Sequence, residues 1–145
     1  MSRTLDELLD DARARLERLT PPQALAATAN GALIIDVRSD LDRARDGVVP
    51  GSIHIPRTVL EWRIACESSW RNPHLGGLER KLVLICDHGY SSSLAAATLI
   101  ELGLDATDVI GGFEAWKEAG LPIAAPAHRH GPDELAGMGA PEPSV

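Results

Sequence analysis

The chain has few cysteines, no excess of positive charge and no long hydrophobic run. Two cysteines among 145 residues cannot form the disulfide framework of a small secreted protein. With 14 Lys and Arg against 21 Asp and Glu, the formal net charge is −7. This charge argues against nucleic acid and anionic membrane surfaces as partners, because it would repel both. No apolar run reaches the length of a membrane-spanning helix, so no membrane partner is predicted.

The N-terminal stretch MSRTLDELLDDARARL is acidic and amphipathic, unlike a secretory signal. We therefore expect a cytoplasmic protein whose thiols are kept reduced. The histidines do not share the spacing of metal ligands, and the HRH stretch falls in a Pro- and Gly-rich end. Neither a metal nor any other cofactor is predicted.

Helix starts are clearly marked. Thr4 with Glu7, and Thr20 with Gln23, each form the capping-box pattern of a helix N-terminus. Apolar residues follow the first box at helical spacing, so we predict an N-terminal amphipathic helix up to residue 19. Its apolar stripe suits packing on the domain or a homodimer contact.

Three regions are predicted along the chain: the N-terminal helix (1–19), one folded domain (20–124) and a flexible C-terminal tail (125–145). Four short apolar runs of strand length alternate with helical patterns inside the domain, at 32–37, 51–56, 81–86 and 106–110. This alternation predicts an α/β domain with a mostly parallel sheet. In such sheets, ligands bind outside the carboxyl ends of the strands.

The segment CDHGYSSS, residues 86–93, follows the most apolar predicted strand and precedes a helix. The free amides and positive dipole end of that helix would face the Cys86 sulfur and favour its thiolate. Gly89 can adopt a positive φ and turn backbone N–H groups inward as an anion-binding nest. This order of elements predicts a reactive thiol, and the alternative is an inert buried cysteine.

From about Pro21 to Ile123, the chain resembles a rhodanese-homology (sulfurtransferase) domain. LIIDVRSD resembles the family's strand ending in Asp-Val-Arg, GVVPGSIHIP its following segment, and DVIGGFEAWKEAGLPI its closing signature. CDHGYSSSLAA lies over the family's active loop, Cys-x-x-Gly-x-Arg-Ser-x-x-Ala-Ala. The resemblance implies a central five-stranded, mostly parallel sheet with helices on both faces. It also implies that Cys86 takes a sulfane sulfur from a small donor as a persulfide and passes it to a thiol or cyanide.

One loop position departs from the family pattern. Ser91 stands where members that use thiosulfate usually carry arginine, and a hydroxyl cannot replace a guanidinium clamp. Oxyanion donors should therefore bind poorly unless Arg57 or Arg63 reaches over the pocket. The departure favours an alternative function, a weak or inactive rhodanese-homology module that binds persulfides or proteins in sulfur metabolism. A related Cys-dependent phosphatase is disfavoured, since Ser92 replaces the arginine of its Cys-x5-Arg loop.

The remaining site assignments follow from the loop and its surroundings. Asp36 and Arg38 are interpreted as braces of the loop, and Cys66 as a packing residue rather than a resolving thiol. Within the loop, His88 would lend partial positive charge and Tyr90 would shape the pocket wall. The predicted substrate-binding residues are Asp87, His88, Gly89, Tyr90, Ser91 and Ser92.

Overall fold

The structure is a computed structural model that describes residues 2–75 and 79–126. Helices and strands alternate along these residues in the order α1 (Leu5–Arg13), α2 (Pro21–Ala29), β1 (Leu33–Asp36), α3 (Asp40–Asp46), β2 (Ile53–His54), α4 (Leu60–Ile64), β3 (Leu82–Ile85), α5 (Ser91–Glu101), β4 (Ala106–Asp108) and α6 (Gly112–Glu118). The predicted capping boxes at Thr4 and Thr20 are both formed. None of the helices in the described ranges has the length and apolar character needed to cross a membrane.

The strands form a parallel sheet in the order β2-β1-β3-β4. The predicted α/β class with a parallel sheet is confirmed. The prediction of a fifth strand is wrong for the described residues, in which the sheet has four strands. In its place at the β4 edge is a single parallel bridge between Leu19 and Val109. The Leu19 N–H donates to the Asp108 carbonyl at 3.0 Å, and the Ile110 N–H donates to the Leu19 carbonyl at 2.8 Å.

The N-terminal helix is shorter than predicted. It ends at Arg13, because the chain must become extended before Leu19 can bridge to the sheet edge. Its apolar stripe is only partly covered: Ala12 is buried on the side that packs against α5, while Leu5 and Leu8 are exposed. Most of the predicted tail, residues 127–145, lies outside the described residues.

Alternating strand residues build a core on each face of the sheet. Leu33, Ile35, Leu82 and Leu84 pack with α4 and α5 on one face. Ile34, Val83 and Ile85 pack with α2 and α6 on the other, around the buried Phe113 and Trp116. Because both faces are covered, every strand residue is buried, and β1, β2 and β4 each end on a polar residue: Asp36, His54 and Asp108.

Candidate active site

Cys86 directly follows β3, a strand flanked by β1 and β4. It therefore lies at the carboxyl end of a central parallel strand, as the sequence predicts. Its side chain is a free thiol and the residue is only 6% exposed. The loop 87–90 then leads into α5, so the N-terminus of that helix is next to the sulfur.

Backbone and hydroxyl groups of the loop surround the Cys86 sulfur. The Gly89 N–H donates to Sγ at 3.2 Å, and the Ser92 N–H, in the first turn of α5, donates to it at 3.4 Å. The Ser92 hydroxyl oxygen lies 3.2 Å from Sγ and accepts the thiol proton. Two inward N–H groups therefore face the position where negative charge develops when the thiol ionises.

The turn at Gly89 requires glycine for two reasons. Its φ is +84°, in the left-handed region, and an added Cβ would lie 2.8 Å from the Gly111 backbone nitrogen. Gly112 is equally constrained, because its Cβ would lie 2.5 Å from the Cys86 carbonyl oxygen. The two glycines let the loop and the start of α6 approach each other closely behind the sulfur.

A cavity of about 330 Å³ opens beside Cys86. The loop lines one side with Cys86, Asp87, His88, Tyr90 and Ser91, and the opposite side consists of Val37, Arg38, Ser39 and Asp42. Tyr90 is 62% exposed, so it forms part of the cavity rim as predicted and is not a core residue.

Arg38 is the cation of the cavity wall. Its guanidinium binds Asp36, with Nη2 2.8 Å from Oδ2, and Nη2 also donates to the Gly47 carbonyl at 2.7 Å. The group lies 3.9 Å from the centroid of the Phe113 ring. Its Nη1 is buried and makes no hydrogen bond within the described residues, and it is 3.9 Å from Asp87 Oδ1. Arg38 thus braces the end of β1, and its charge is largely matched by Asp36.

Two carboxyl groups make the cavity acidic. Asp42 and Asp87 both line it, and Asp87 donates a hydrogen bond to Asp42 while Asp87 is protonated. Partial burial, the hydrogen bond with Asp42 and the charge of that neighbour raise the pKa of Asp87 to about 6. The same hydrogen bond, with one from Ser39, lowers the pKa of Asp42. At neutral pH both groups are ionised, so the wall carries more negative than positive charge.

Of the other residues that the sequence singles out, His88 lies at the exposed edge of the cavity, and the rest are not among the described residues that line it. Arg57 is paired with Glu61 at 2.9 Å, and Arg63 is buried; neither is among the described residues that line the cavity. His88 is mostly exposed, and its Nδ1 lies 2.6 Å from Glu114 Oε2. Cys66 is exposed beyond the end of α4, so it is not the packing residue that the sequence predicts.

Two arginines from the N-terminal segment reach the back of the loop. Arg13, the last residue of α1, donates from Nη2 to the Gly89 carbonyl at 2.7 Å. Arg18 donates from Nη2 to the same carbonyl at 3.0 Å. The Nε of Arg13 also donates to Ser93 Oγ at 3.1 Å, and its guanidinium lies 5.7 Å from the Tyr90 ring centroid. The outward-facing carbonyl of the loop turn is thus held by two cations.

Asp108, at the end of β4, links Arg18 to the loop. Its buried carboxylate accepts a fork from Arg18, with Nε 2.8 Å from Oδ1 and Nη2 3.1 Å from Oδ2. The hydroxyls of Ser92 and Ser93 each donate to Asp108 Oδ2 at 2.8 Å. Ser92 Oγ also contacts Cys86 Sγ, so a continuous chain of polar contacts joins Arg18 to the thiol.

Sequence reasoning missed Arg13, Arg18, Asp108 and Asp42 as site residues. The first three contact partners 71 to 90 positions away along the chain, and no local pattern reports such contacts. The only available signal was positional: Asp108 ends a predicted strand next to the Cys86 strand.

A larger cavity, about 690 Å³, lies at the opposite end of the sheet. Its walls include Arg80 and Lys81, which precede β3, and Gly31, which precedes β1. No cysteine, serine or threonine is among the described residues that line it. The smaller cavity at Cys86 is therefore the candidate active site.

Comparison with known proteins agrees with this geometry. The model of the rhodanese-like domain family matches residues 20–119. The thiosulfate sulfurtransferase GlpE of Pseudomonas savastanoi pv. phaseolicola is 35% identical over 102 residues, covering 70% of this chain and 87% of that protein.

Solved structures share the fold. A protein of unknown function from Rhodopseudomonas palustris CGA009, described as a possible tyrosine phosphatase, is 35% identical with a TM-score of 0.77; the match covers 85% of this chain and 96% of that one. A rhodanese-related protein from Thermoplasma volcanium is 28% identical with a TM-score of 0.60, covering 74% of this chain and 97% of that one. The family match over most of the described residues, and the cysteine loop at the end of β3, show that the chain belongs to the rhodanese-like domain family.

Proposed function

We propose that the protein is a sulfurtransferase that carries a sulfane sulfur on Cys86. The observation that carries this proposal is the position of Cys86 Sγ, which faces a cavity and accepts hydrogen bonds from the Gly89 and Ser92 amides. These amides stabilise negative charge on a thiolate and, after sulfur transfer, on the persulfide. Relatives named thiosulfate sulfurtransferase support the same chemistry.

The reaction has two displacements at sulfur. The Cys86 thiolate attacks the outer sulfur of the donor, an S–S bond forms to Cys86, and the donor's own S–S bond breaks with its electron pair leaving on the departing group. An acceptor thiolate or cyanide then attacks the outer sulfur of the Cys86 persulfide. The Cys86 thiolate leaves and is regenerated, so no external oxidant or reductant is consumed.

The charge of the cavity favours donors with little negative charge. Asp42 and Asp87 line it, Arg38 is paired with Asp36, and Ser91 supplies a hydroxyl at the loop position where an arginine would clamp an oxyanion. We therefore infer that alkyl persulfides are better donors than thiosulfate, a dianion.

Sulfur loading is tested by intact-protein mass spectrometry. After exposure to a small persulfide, the wild type and Cys66→Ser should gain the mass of one sulfur atom, and Cys86→Ser should not. Alkylation at mildly acidic pH should label Cys86 before the exposed Cys66, because within the described residues amides are directed at the sulfur of Cys86 and not at that of Cys66. Faster labelling or loading of Cys66 would refute the assignment of Cys86.

A second function, in which the domain binds persulfides or proteins without turnover, is favoured by Ser91 at the arginine position. It predicts that Cys86 loads with sulfur but does not release it to thiols or cyanide. Multiple turnovers with a persulfide donor and a thiol acceptor would exclude it. Phosphatase activity is not proposed, because the Ser92 hydroxyl is engaged with Asp108 and Cys86 where a phosphate-binding guanidinium would be needed.

A further inference from the structure

The N-terminal segment, residues 2–19, lies outside the region that matches the family. It nevertheless brings two guanidinium groups to the back of the Cys86 loop, where Arg13 and Arg18 bind the Gly89 carbonyl. Neither arginine is among the described residues that line the donor cavity, and both reach the loop through the Gly89 carbonyl. They therefore act on the sulfur without being placed to bind an anionic donor.

The first consequence concerns the shape of the loop. In an anion-binding turn, N–H groups point inward and the intervening carbonyls must point outward. The Gly89 carbonyl is partly buried, so its outward orientation needs donors. Arg13 and Arg18 supply them at 2.7 and 3.0 Å. They oppose rotation of this peptide, which would bring the carbonyl oxygen toward the sulfur.

The second consequence concerns charge. Asp108 is fully buried, and its carboxylate is separated from Cys86 Sγ by one hydroxyl, that of Ser92. A bare carboxylate at this distance would oppose ionisation of the thiol. The Arg18 fork neutralises it, with contacts at 2.8 and 3.1 Å. The Ser93 hydroxyl also donates to Asp108, so Ser92 can turn its proton to the sulfur once the thiol has ionised.

We propose that Arg13 and Arg18 are positioning residues of the persulfide site. Through the backbone and hydroxyl groups of the loop they favour the Cys86 thiolate, and they thus supply part of the positive charge that is missing because Ser91 replaces an arginine. The proposal rests on the proposed function of Cys86. It also explains the donor preference, because cations behind the loop favour the thiolate without clamping an oxyanion.

The measurement is the rate of Cys86 alkylation by iodoacetamide against pH, made on the full chain with Cys66→Ser as background. The other charged or titratable groups around the sulfur are left unchanged in every variant: Arg38 after β1, Asp42 of α3, Asp87, His88 and Tyr90 of the loop, and Glu114 of α6, which is paired with His88. Differences between variants then report the groups behind the loop alone.

Arg18→Met should move the alkylation midpoint to higher pH and slow alkylation by up to about tenfold at pH values below that midpoint, because a shift of about one unit there is a factor of ten in thiolate fraction. Asp108→Asn alone leaves the positive charge of Arg18 without its carboxylate partner, so it should move the alkylation midpoint to lower pH. The double variant R18M/D108N should return it toward the wild-type position. Arg15→Met is the matched control, since Arg15 pairs with Asp11 and Glu101 on the surface and should change nothing.

Arg13→Met removes one of the two guanidinium donors to the Gly89 carbonyl but leaves the Arg18–Asp108 pair in place. It should slow sulfur loading severalfold with a smaller change in the midpoint. Thermal unfolding of each variant separates these effects from loss of fold, and Asp108→Asn provides a test even if Arg18→Met does not fold. Unchanged midpoints in folded Arg18→Met or in Asp108→Asn would overturn the proposal, as would failure of the double variant to restore the midpoint. Alkylation does not require sulfur transfer, so these outcomes remain distinct from failure of the proposed function.

Discussion

At the scale of single residues, Ser91 is the position that we expect to govern the binding of an anionic donor. It is the first residue of α5 and is exposed at the cavity, so a longer side chain there would extend over the donor. The neighbouring Ser92 and Ser93 are buried and bound to Asp108, and they have no such freedom. Adjacent serines of the same helix turn therefore have different roles, one open to the donor and two fixed behind the sulfur.

Ser91→Arg should raise the efficiency of thiosulfate as donor by about tenfold to a hundredfold, since a charge-assisted hydrogen bond contributes roughly 1.5–3 kcal/mol. The gain should be smaller for alkyl persulfides, which carry less charge. Initial rates with both donors check this, and Ser91→Gln controls for side-chain length without charge. If Ser91→Arg improves neither donor, the loop serves something other than sulfur transfer and the binding function becomes the better proposal.

Asp87 should make the choice between donors depend on pH. Because its pKa is raised to about 6, it is neutral below that pH and anionic above it. The efficiency of thiosulfate, a dianion, relative to an organic thiosulfonate, a monoanion, should rise as pH falls through about 6. The ratio of the two efficiencies should rise by about fivefold. The two donors differ by one unit charge, and one pair of unit charges about 4 Å apart in water interacts by roughly 1 kcal/mol. Taking the ratio of the two donors cancels the ionisation of Cys86, which both reactions share.

Asp87→Asn should flatten this pH dependence and hold the ratio at its acidic value. Asp105→Asn is the control, because Asp105 is an exposed carboxylate that precedes β4, at the far end of the sheet. If the ratio in the wild type does not change between pH 5 and 7 (a range of about one unit on either side of 6), the donor does not contact the Asp42 and Asp87 pair.

At the scale of elements, the loop depends on its turn as much as on its cysteine. Gly89→Ala and Gly103→Ala form a matched pair, with φ of +84° and +85°. Both should lose about 1–2 kcal/mol of stability from the left-handed conformation. Of the two, Gly89→Ala also forces a Cβ to within 2.8 Å of the Gly111 nitrogen, while a Cβ on Gly103 would meet none of the described atoms within 4 Å.

Gly89→Ala should therefore slow sulfur loading of Cys86 by up to about a hundredfold, through displacement of the amides that face the sulfur. Gly103→Ala should load at the wild-type rate. Thermal unfolding measures the shared loss of stability, and mass spectrometry measures loading. Equal loading by the two variants would mean that the Gly89 amide does not contribute to the reactivity of Cys86.

Local patterns predicted those elements whose causes are local. The capping boxes at Thr4 and Thr20 and the apolar strands depend on neighbouring residues, and the structure contains them. The position of Cys86 followed from the rule that strand ends meet at one edge of a parallel sheet. The predicted helix up to residue 19 was too long, because the bridge from Leu19 to Val109 is a contact that only the folded chain makes.

The back of the site could not be predicted for the same reason. Arg18 and Asp108 are 90 positions apart, and in the sequence each looks like an ordinary surface charge. What identifies Asp108 is its complete burial, and what identifies Arg18 is the fork that it makes to that carboxylate. Both facts arise only when the N-terminal segment packs along the edge of β4.

At the scale of the whole molecule, the net charge of −7 should act on anionic donors before they reach the cavity. A dianion approaching an acidic protein is repelled over a distance that salt controls, about 30 Å at 0.01 M and about 8 Å at 0.15 M ionic strength. The acidic cavity wall adds to this repulsion at short range. The long-range charge and the local charge therefore act in the same direction on anionic donors.

The efficiency of thiosulfate should consequently increase severalfold as ionic strength is raised from about 0.01 M to about 0.15 M. The increase in efficiency with ionic strength should be smaller for a thiosulfonate, which carries one charge. It should be smaller still for thiosulfate with the Ser91→Arg variant, because the new arginine places an attractive charge at the cavity. Stopped-flow or initial-rate measurements under these conditions, with a chloride salt as the only variable, check the expectation. A thiosulfate rate that falls with salt would mean that a cation dominates donor binding. The buried Nη1 of Arg38, unbonded within the described residues and beside Asp87, would then be the group to examine.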